Sequence, residues 1–215
     1  MTTATDKFAG IRDIVTSIED VQTVLGEPMP QVLIKEIDHL DDICRDFIAK
    51  APFCVIASAN PDGYIDVSPK GDPVGFVRVL DEKHLAIPDR PGNRRADTFH
   101  NLLRDPRLGI LFIIPGKTET LRVSGEARIT RDEILRQSMP VNGKVPALAV
   151  VVHVERVFMH CPKCMVRSKI WQPEEWPDAS KVAKIDKAMI QHCKLDMTPE
   201  ELYAEVVRTG TDRLY

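Results

Sequence analysis

An antiparallel β-barrel with one inserted helix is the fold class this 215-residue chain predicts. Two observations lead there. Six or seven short apolar or alternating stretches follow one another at hairpin spacing, separated by turns rich in Pro, Gly, Asn and Asp. Only one helical pattern interrupts them; the others lie at the two ends of the chain. Strands in uninterrupted series bury their apolar faces most readily by curling into an antiparallel barrel or sandwich.

In chain order, residues 1–16 read as a loosely held arm. Ser17-Ile18-Glu19-Asp20 is a capping-box pattern opening a short helix through Leu25, with Gly26 as its stop. Pro28 and Pro30 predict an extended stretch. From Lys35, Ile37, Leu40, Ile43, Cys44, Phe47 and Ile48 recur at spacings of three and four, a helix that Pro52 ends. Phe53 to Ala59 is a buried strand, and the turn Asn60-Pro61-Asp62-Gly63 makes it a hairpin with Tyr64 to Val67. Gly75 to Leu80 and His84 to Pro88 are the next strands. Asn93 is placed as the N-cap of the inserted helix, which begins with Arg94 and Arg95, presents Phe99, Leu102 and Leu103 to the sheet, and stops before Pro106. Leu108 to Ile114, Thr120 to Thr130 and Ala147 to Phe158 complete the strands. Beyond Trp171 a Pro-rich linker leads to an amphipathic helix after Asp178, marked by Val182, Ile185 and Met189. The capping box Thr198-Pro199-Glu200-Glu201 then opens a last helix towards Gly210. One domain is expected over 1–215: an N-terminal arm and helices to 50, a barrel core over 51–171 and a C-terminal helical extension over 172–215.

The net charge of −3 gives no electrostatic reason to expect nucleic acid or an anionic membrane as partner. The first residues, M-T-T-A-T-D-K-F, lack an apolar signal core, and no stretch approaches the ~18 apolar residues of a membrane span. Five cysteines, an odd number, suit a reducing compartment with free thiols. A cytoplasmic protein is expected.

Two arginines in a first helical turn oppose the helix dipole unless an anion offsets them. Asn93, Arg94 and Arg95 are therefore either a phosphate clamp or a solvated basic group beside Asp89 and Asp97. Four motifs add to this: S-P-K-G-D-P at 68–73, P-D-R-P-G-N-R-R at 88–95, E-T-L-R-V-S-G at 119–125 and H-C-P-K-C-M-V-R-S-K-I-W at 160–171. Together they resemble the FMN-binding core of the pyridoxamine 5′-phosphate oxidase-like family. The resemblance implies a split β-barrel and a homodimer with FMN at the subunit interface. It implies that Ser68 and Lys70 touch the cofactor, that the flavin ring runs along Pro88, Asp89 and Arg90, and that Asn93, Arg94 and Arg95 hold the phosphate. It further places Thr120 and Arg122 near the ring, and Lys163, Arg167 and Ser168 on the flavin of the neighbouring subunit.

Cys161 and Cys164, with His160 and His192-Cys193, have the composition of a zinc site, but adjacent side chains on a helix diverge by about 100° and chelate poorly. No metal is expected. A redox pair would be favoured by a helix start, whereas here the pair follows a long strand. His84, His100 and His153 read as isolated. No G-x-S-x-G, Walker loop or G-x-G-x-x-G occurs, and no side chain stands out as a catalytic acid or base. The Arg-x-His pair that true pyridoxamine phosphate oxidases use for substrate is missing from the sequence. The expectation is an FMN-dependent oxidoreductase acting on a small molecule of unknown identity. The alternatives are a non-catalytic flavin or haem binder and a deazaflavin-dependent reductase.

Overall fold

The computed structural model describes residues 7–215. The predicted arm over 1–16 lies partly outside the described residues. The chain divides after Lys35 into two units, which are taken separately.

The N-terminal unit holds two helices. In α1 (Ile18–Leu25) the Ser17 side chain accepts the Asp20 N–H at 3.0 Å, and Gly26 ends the helix at φ 76°. The stretch after Pro28 is not extended as predicted: Pro30 opens a second helix, α2 (Pro30–Ile34). Proline's fixed φ suits a first helical position, where its missing N–H has no partner to lose.

The second unit, Glu36–Tyr215, is built on one antiparallel sheet. Its strands are β1 (Phe53–Ala59), β2 (Ile65–Gly71), β3 (Arg78–Val79), β4 (His84–Pro88), β5 (Arg107–Ile113), β6 (Thr120–Thr130) and β7 (Ala149–His160). They lie in the order β2-β1-β5-β6-β7-β4-β3, and the outermost strands do not pair with each other, so the barrel is split. Alternation sets the core. In β1, Cys54, Ile56 and Ser58 face inward, and in β6, Leu121 and Val123 do the same. On β7, Val150, Val152 and Val154 are buried beneath the long pairing with β6. A bulge between Ser124 and Gly125 breaks that register. A Cβ at Gly125 would run into the carbonyl oxygen of His153, so the close approach of the two strands requires glycine.

Helix α3 (Asp42–Lys50) caps the core with Cys44, Phe47 and Ile48. It starts later than its apolar spacing predicts. Asp41 takes the N-cap, accepting the Cys44 N–H at 2.8 Å, and Ile37 instead bridges to Val157 as an extended residue. Ile43, expected on the buried stripe, is 66% exposed. The expected strand over Gly75 to Leu80 shrinks to β3.

The inserted helix, α4 (Asp97–Leu102), is also shorter than predicted. Asn93 does not cap it; its side chain accepts the Arg95 N–H at 3.0 Å in a local turn. Arg94 and Ala96 adopt left-handed backbone at φ 61° and 58°, which keeps Arg94 and Arg95 outside the helix. Leu102 is buried, but Leu103 is 74% exposed. A short helix not foreseen, α5 (Glu133–Gln137), is capped by Asp132. After β7 come α6 (Lys163–Ser168), a 3-10 turn (Pro173–Glu175), α7 (Ile185–Cys193) and α8 (Pro199–Thr209). The expected capping box is present at α8: Thr198 and Glu201 each accept the other's backbone N–H, and Gly210 closes the helix.

Candidate functional site

One cleft of about 550 Å³ gathers most of the residues singled out from the sequence. Strand β2 supplies Ser68 and Lys70 to one wall. They share the face of their cross-strand partners Ile56 and Cys54 and are partly buried, with the Lys70 Nζ donating to Ser68 Oγ at 2.7 Å. Pro69 is tolerated between them because β2 is an edge strand. The loop leaving β4 supplies the opposite wall: Asp89, Arg90, Asn93, Arg94 and Arg95. Pro88, the last residue of β4, is buried against β7 as partner of Ala149 and anchors that loop.

The electrostatics of the cleft are uneven. Arg90 forms an ion pair with Asp72 at 2.5 Å, with side chains only 16% and 1% exposed. The Arg90 guanidinium also donates to the Met139 carbonyl, and the Tyr215 hydroxyl donates to the second Asp72 oxygen at 2.9 Å. That carboxylate raises the Tyr215 phenol above its usual range. Arg95 is paired with Asp97. Among the described residues, Lys70 and Arg94 carry no ion pair. Burial raises the Asp89 carboxyl, partly opposed by the positive charges of Lys70 and Arg90.

The remaining predicted residues do not line this cleft. Thr120 and Arg122 belong to a second cleft of about 370 Å³, which also takes in Val55, Leu111, His160 and Cys164. Thr120 is 2% exposed, and the Arg122 guanidinium lies 5.2 Å from the centre of the Phe158 ring. Lys163, Arg167 and Ser168 ride on the exposed helix α6, where Ser168 Oγ donates to the Met165 carbonyl. The Trp171 indole N–H, donating to the Lys117 carbonyl at 2.8 Å, ties the segment after α6 to the β5–β6 turn.

Two expectations about reactive groups change. The Cys161/Cys164 pair does not simply trail a strand: α6 begins at Lys163 and contains Cys164. His84 and His153 are not isolated. Neighbours across β4 and β7, they approach to 3.1 Å through His84 Nε2 and His153 Nδ1, and Asp81 holds the other nitrogen of His84 at 3.0 Å. The partners that sequence reasoning missed are Asp72 and Tyr215. Asp72 stands inside the 68–73 motif, but nothing local marks it as the counter-ion of a residue on another strand's loop.

A split antiparallel barrel with a basic cleft between its edge strand and the loop entering its inserted helix defines the class of protein. The family model described as pyridoxamine 5′-phosphate oxidase matches residues 40–161, more than half of the chain, and the protein belongs to that family. No curated protein matches the chain. Among solved structures, HupZ from Group A Streptococcus is 21% identical over 55% of this chain and 92% of its own, with a TM-score of 0.46. An F420 reductase is 17% identical over 54% of this chain and 94% of its own, at a TM-score of 0.40. A Clostridium acetobutylicum protein related to general stress protein 26 is 14% identical over 54% and 83%, at 0.39. Among the described residues, no helix is long and apolar enough to cross a membrane.

Proposed function

We propose that this protein is an FMN-binding oxidoreductase acting in the cytoplasm as a homodimer, with the flavin at the subunit interface. The observation that carries the proposal is the first cleft. It collects seven of the predicted contacts (Ser68, Lys70, Asp89, Arg90, Asn93, Arg94 and Arg95) from strand β2 and the loop after β4, and its volume lies within the roughly 300–1,000 Å³ of small-molecule sites. Arg94 carries no ion pair among the described residues and Lys70 meets the half-buried Asp89 only at longer range, so the walls keep positive charge that suits an anionic ligand. The left-handed backbone at Arg94 and Ala96, two such residues within three positions, is consistent with the same conclusion, because strained backbone of this kind clusters at ligand sites as well as at turns and helix ends. Successive amides in such a loop form a concavity for anions, so the phosphate would sit on Arg94 and Arg95 without help from a helix end.

FMN, when bound, supplies the electron-transfer chemistry; the protein binds and orients it and sets the local charge. Ser68 and Lys70 would flank the ring, a cation there favouring the anionic reduced flavin. Pro88 to Arg90 form the other side. Thr120, Arg122, Lys163, Arg167 and Ser168 line no part of their own chain's first cleft, and in this proposal they complete the site of the second copy. The whole of 1–215 is taken as one functional domain. The substrate is a small molecule.

A visible spectrum of the purified protein is the direct test. A yellow flavin chromophore, released by denaturation and identified as FMN, is expected. A Soret band, a deazaflavin spectrum, or a colourless protein that fails to take up added FMN overturns the proposal. Light scattering should give a dimer; a monomer that binds FMN overturns the interface.

A further inference from the structure

The Cys161-Pro162-Lys163-Cys164 segment contributes only Lys163 to the cofactor proposal, and its geometry points elsewhere. Pro162 lies at φ −75°, ψ −9°, Lys163 begins α6, and the Val166 N–H donates to the Pro162 carbonyl at 3.0 Å. Two consecutive right-handed residues reverse the chain and bring the Cα atoms on either side within roughly 7 Å of each other. That overlaps the ~4.4–6.8 Å between the Cα atoms of bridged cysteines. Both thiols are exposed.

The other three cysteines differ in kind. Cys44 and Cys54 are buried in the core, and burial pushes both thiols up to about 12, so they stay protonated and shielded. Cys193 is exposed at the end of α7, with no second cysteine one turn away. Of five cysteines, only Cys161 and Cys164 combine exposure with a second cysteine three residues away across a reversing turn.

We infer that Cys161 and Cys164 form a reversible dithiol–disulfide couple, oxidised by hydroperoxides and reduced by low-molecular-weight thiols. One cysteine sulfur attacks the peroxide, an S–O bond forms, the O–O bond breaks, and the leaving oxygen takes up the thiol proton and departs as water from hydrogen peroxide or as the alcohol from an alkyl hydroperoxide. The second sulfur then attacks the sulfenic sulfur; an S–S bond forms, the S–O bond breaks and a second water leaves. Two thiols lose two electrons and two protons to one hydrogen peroxide. Two external thiols reverse the bridge by exchange through a mixed disulfide. Exposed bridges of this kind are the readily reduced ones.

The couple bears on the second cleft, whose wall includes Cys164 beside His160 and Met165. Oxidation ties Cys164 back to Cys161 and replaces a thiol on that wall by a disulfide. It also constrains the first turn of α6, the helix carrying Lys163, Arg167 and Ser168. The inference does not depend on flavin binding, so either can fail alone.

The test uses the full chain, reduced, desalted and treated with one equivalent of hydrogen peroxide. It is then alkylated with N-ethylmaleimide under denaturing conditions and mapped by peptide mass. The expected result is a 161–164 peptide that takes no label, is lighter by two hydrogens and regains two labels after dithiothreitol, while Cys193 is labelled throughout. Cys161→Ser and Cys164→Ser should each leave a sulfenic acid that dimedone traps on the remaining cysteine. The inference is overturned if the peroxide-treated parent protein itself accumulates dimedone-trapped or sulfinic cysteine at either position. Bridging to Cys193, bridging between chains, or retention of both labels overturns it equally.

Discussion

Arg90 and Arg94 stand on the same loop and line the same cleft, yet one is fully engaged and the other is not. Arg90, the mostly buried floor residue, is paired with a nearly inaccessible Asp72 that Tyr215 also bonds, and its Nη2 donates to the Met139 carbonyl. Arg94 lies on the rim, exposed, on strained backbone and without an ion pair among the described residues. A charge satisfied inside the protein holds the fold. A charge kept unsatisfied at the cost of backbone strain is available to a ligand. Composition cannot distinguish the two, since both are arginines in one proline- and glycine-rich loop.

The sharpest way to break this comparison is to remove the partner at the floor. Asp72→Ala leaves Arg90 largely buried and uncompensated, and loss of one member of a buried pair costs about 3 kcal/mol or more. Urea unfolding should show a fall of that size, with Arg94→Ala staying within about 0.5 kcal/mol of the parent. Equal stabilities for the two variants would mean that the floor is not structural.

The rim should behave in the opposite sense. If Arg94 holds the phosphate, its charge-assisted bonds are worth roughly 1.5–3 kcal/mol, and Arg94→Ala should weaken FMN about ten- to a hundredfold. Riboflavin, which lacks the phosphate, should bind the variant as it binds the parent. Fluorescence titration separates the cases: parallel losses for both ligands would place Arg94 against the ring, and no loss for either would make it a solvated side chain. Arg95→Ala should cost FMN only roughly two- to threefold, because Asp97 already offsets that guanidinium in an exposed pair. A larger loss for Arg95 than for Arg94 would invert the assignment. Raised salt should narrow the gap between the parent and Arg94→Ala, as expected for an exposed charge.

The sheet was legible in the sequence because short apolar stretches bounded by turn residues marked it: β1, β4 and β6 run over the stretches predicted. Helix starts were less legible. The apolar spacing from Ile37 continues a helical pattern, but Asp41 offers a better cap and Ile37 a strand contact with Val157. At α4, Asn93 carries the residue type of an N-cap and uses it in a local turn, so two arginines assigned to a helix lie in a loop. In the candidate site, the residues that β2 and the loop after β4 bring to one cleft were readable from their motifs, although four strands separate β2 and β4 in the sheet. The Asp72–Arg90 and Asp72–Tyr215 contacts join positions 18 and 143 residues apart, and no local pattern encodes a pairing of that kind.

Asp89 lies between floor and rim, and it gives the smallest and most specific test. Burial raises its carboxyl above the unfolded value, while Lys70 and Arg90 pull in the other direction without cancelling the burial. A carboxyl whose folded value is raised favours folding most when protonated; that contribution is full below the unfolded value of about 4 and is lost as pH rises through the folded value. At neutral pH the ionised Asp89 therefore costs stability. Asp89→Asn keeps the shape, and its backbone N–H can still donate to the Leu148 carbonyl. The variant should be slightly more stable than the parent at pH 7, and the advantage should shrink towards pH 4 as the parent's carboxyl takes up its proton. Thermal melts across that range read the difference directly. A variant less stable at pH 7, with a deficit that grows as pH rises, would show instead that Lys70 and Arg90 hold Asp89 as a favourable carboxylate, making the whole wall self-satisfied like the floor. Addition of FMN should also stabilise the variant more than the parent, because removing the negative charge on that wall leaves less to oppose the attraction of Arg94 for the phosphate and of Lys70 for the ring.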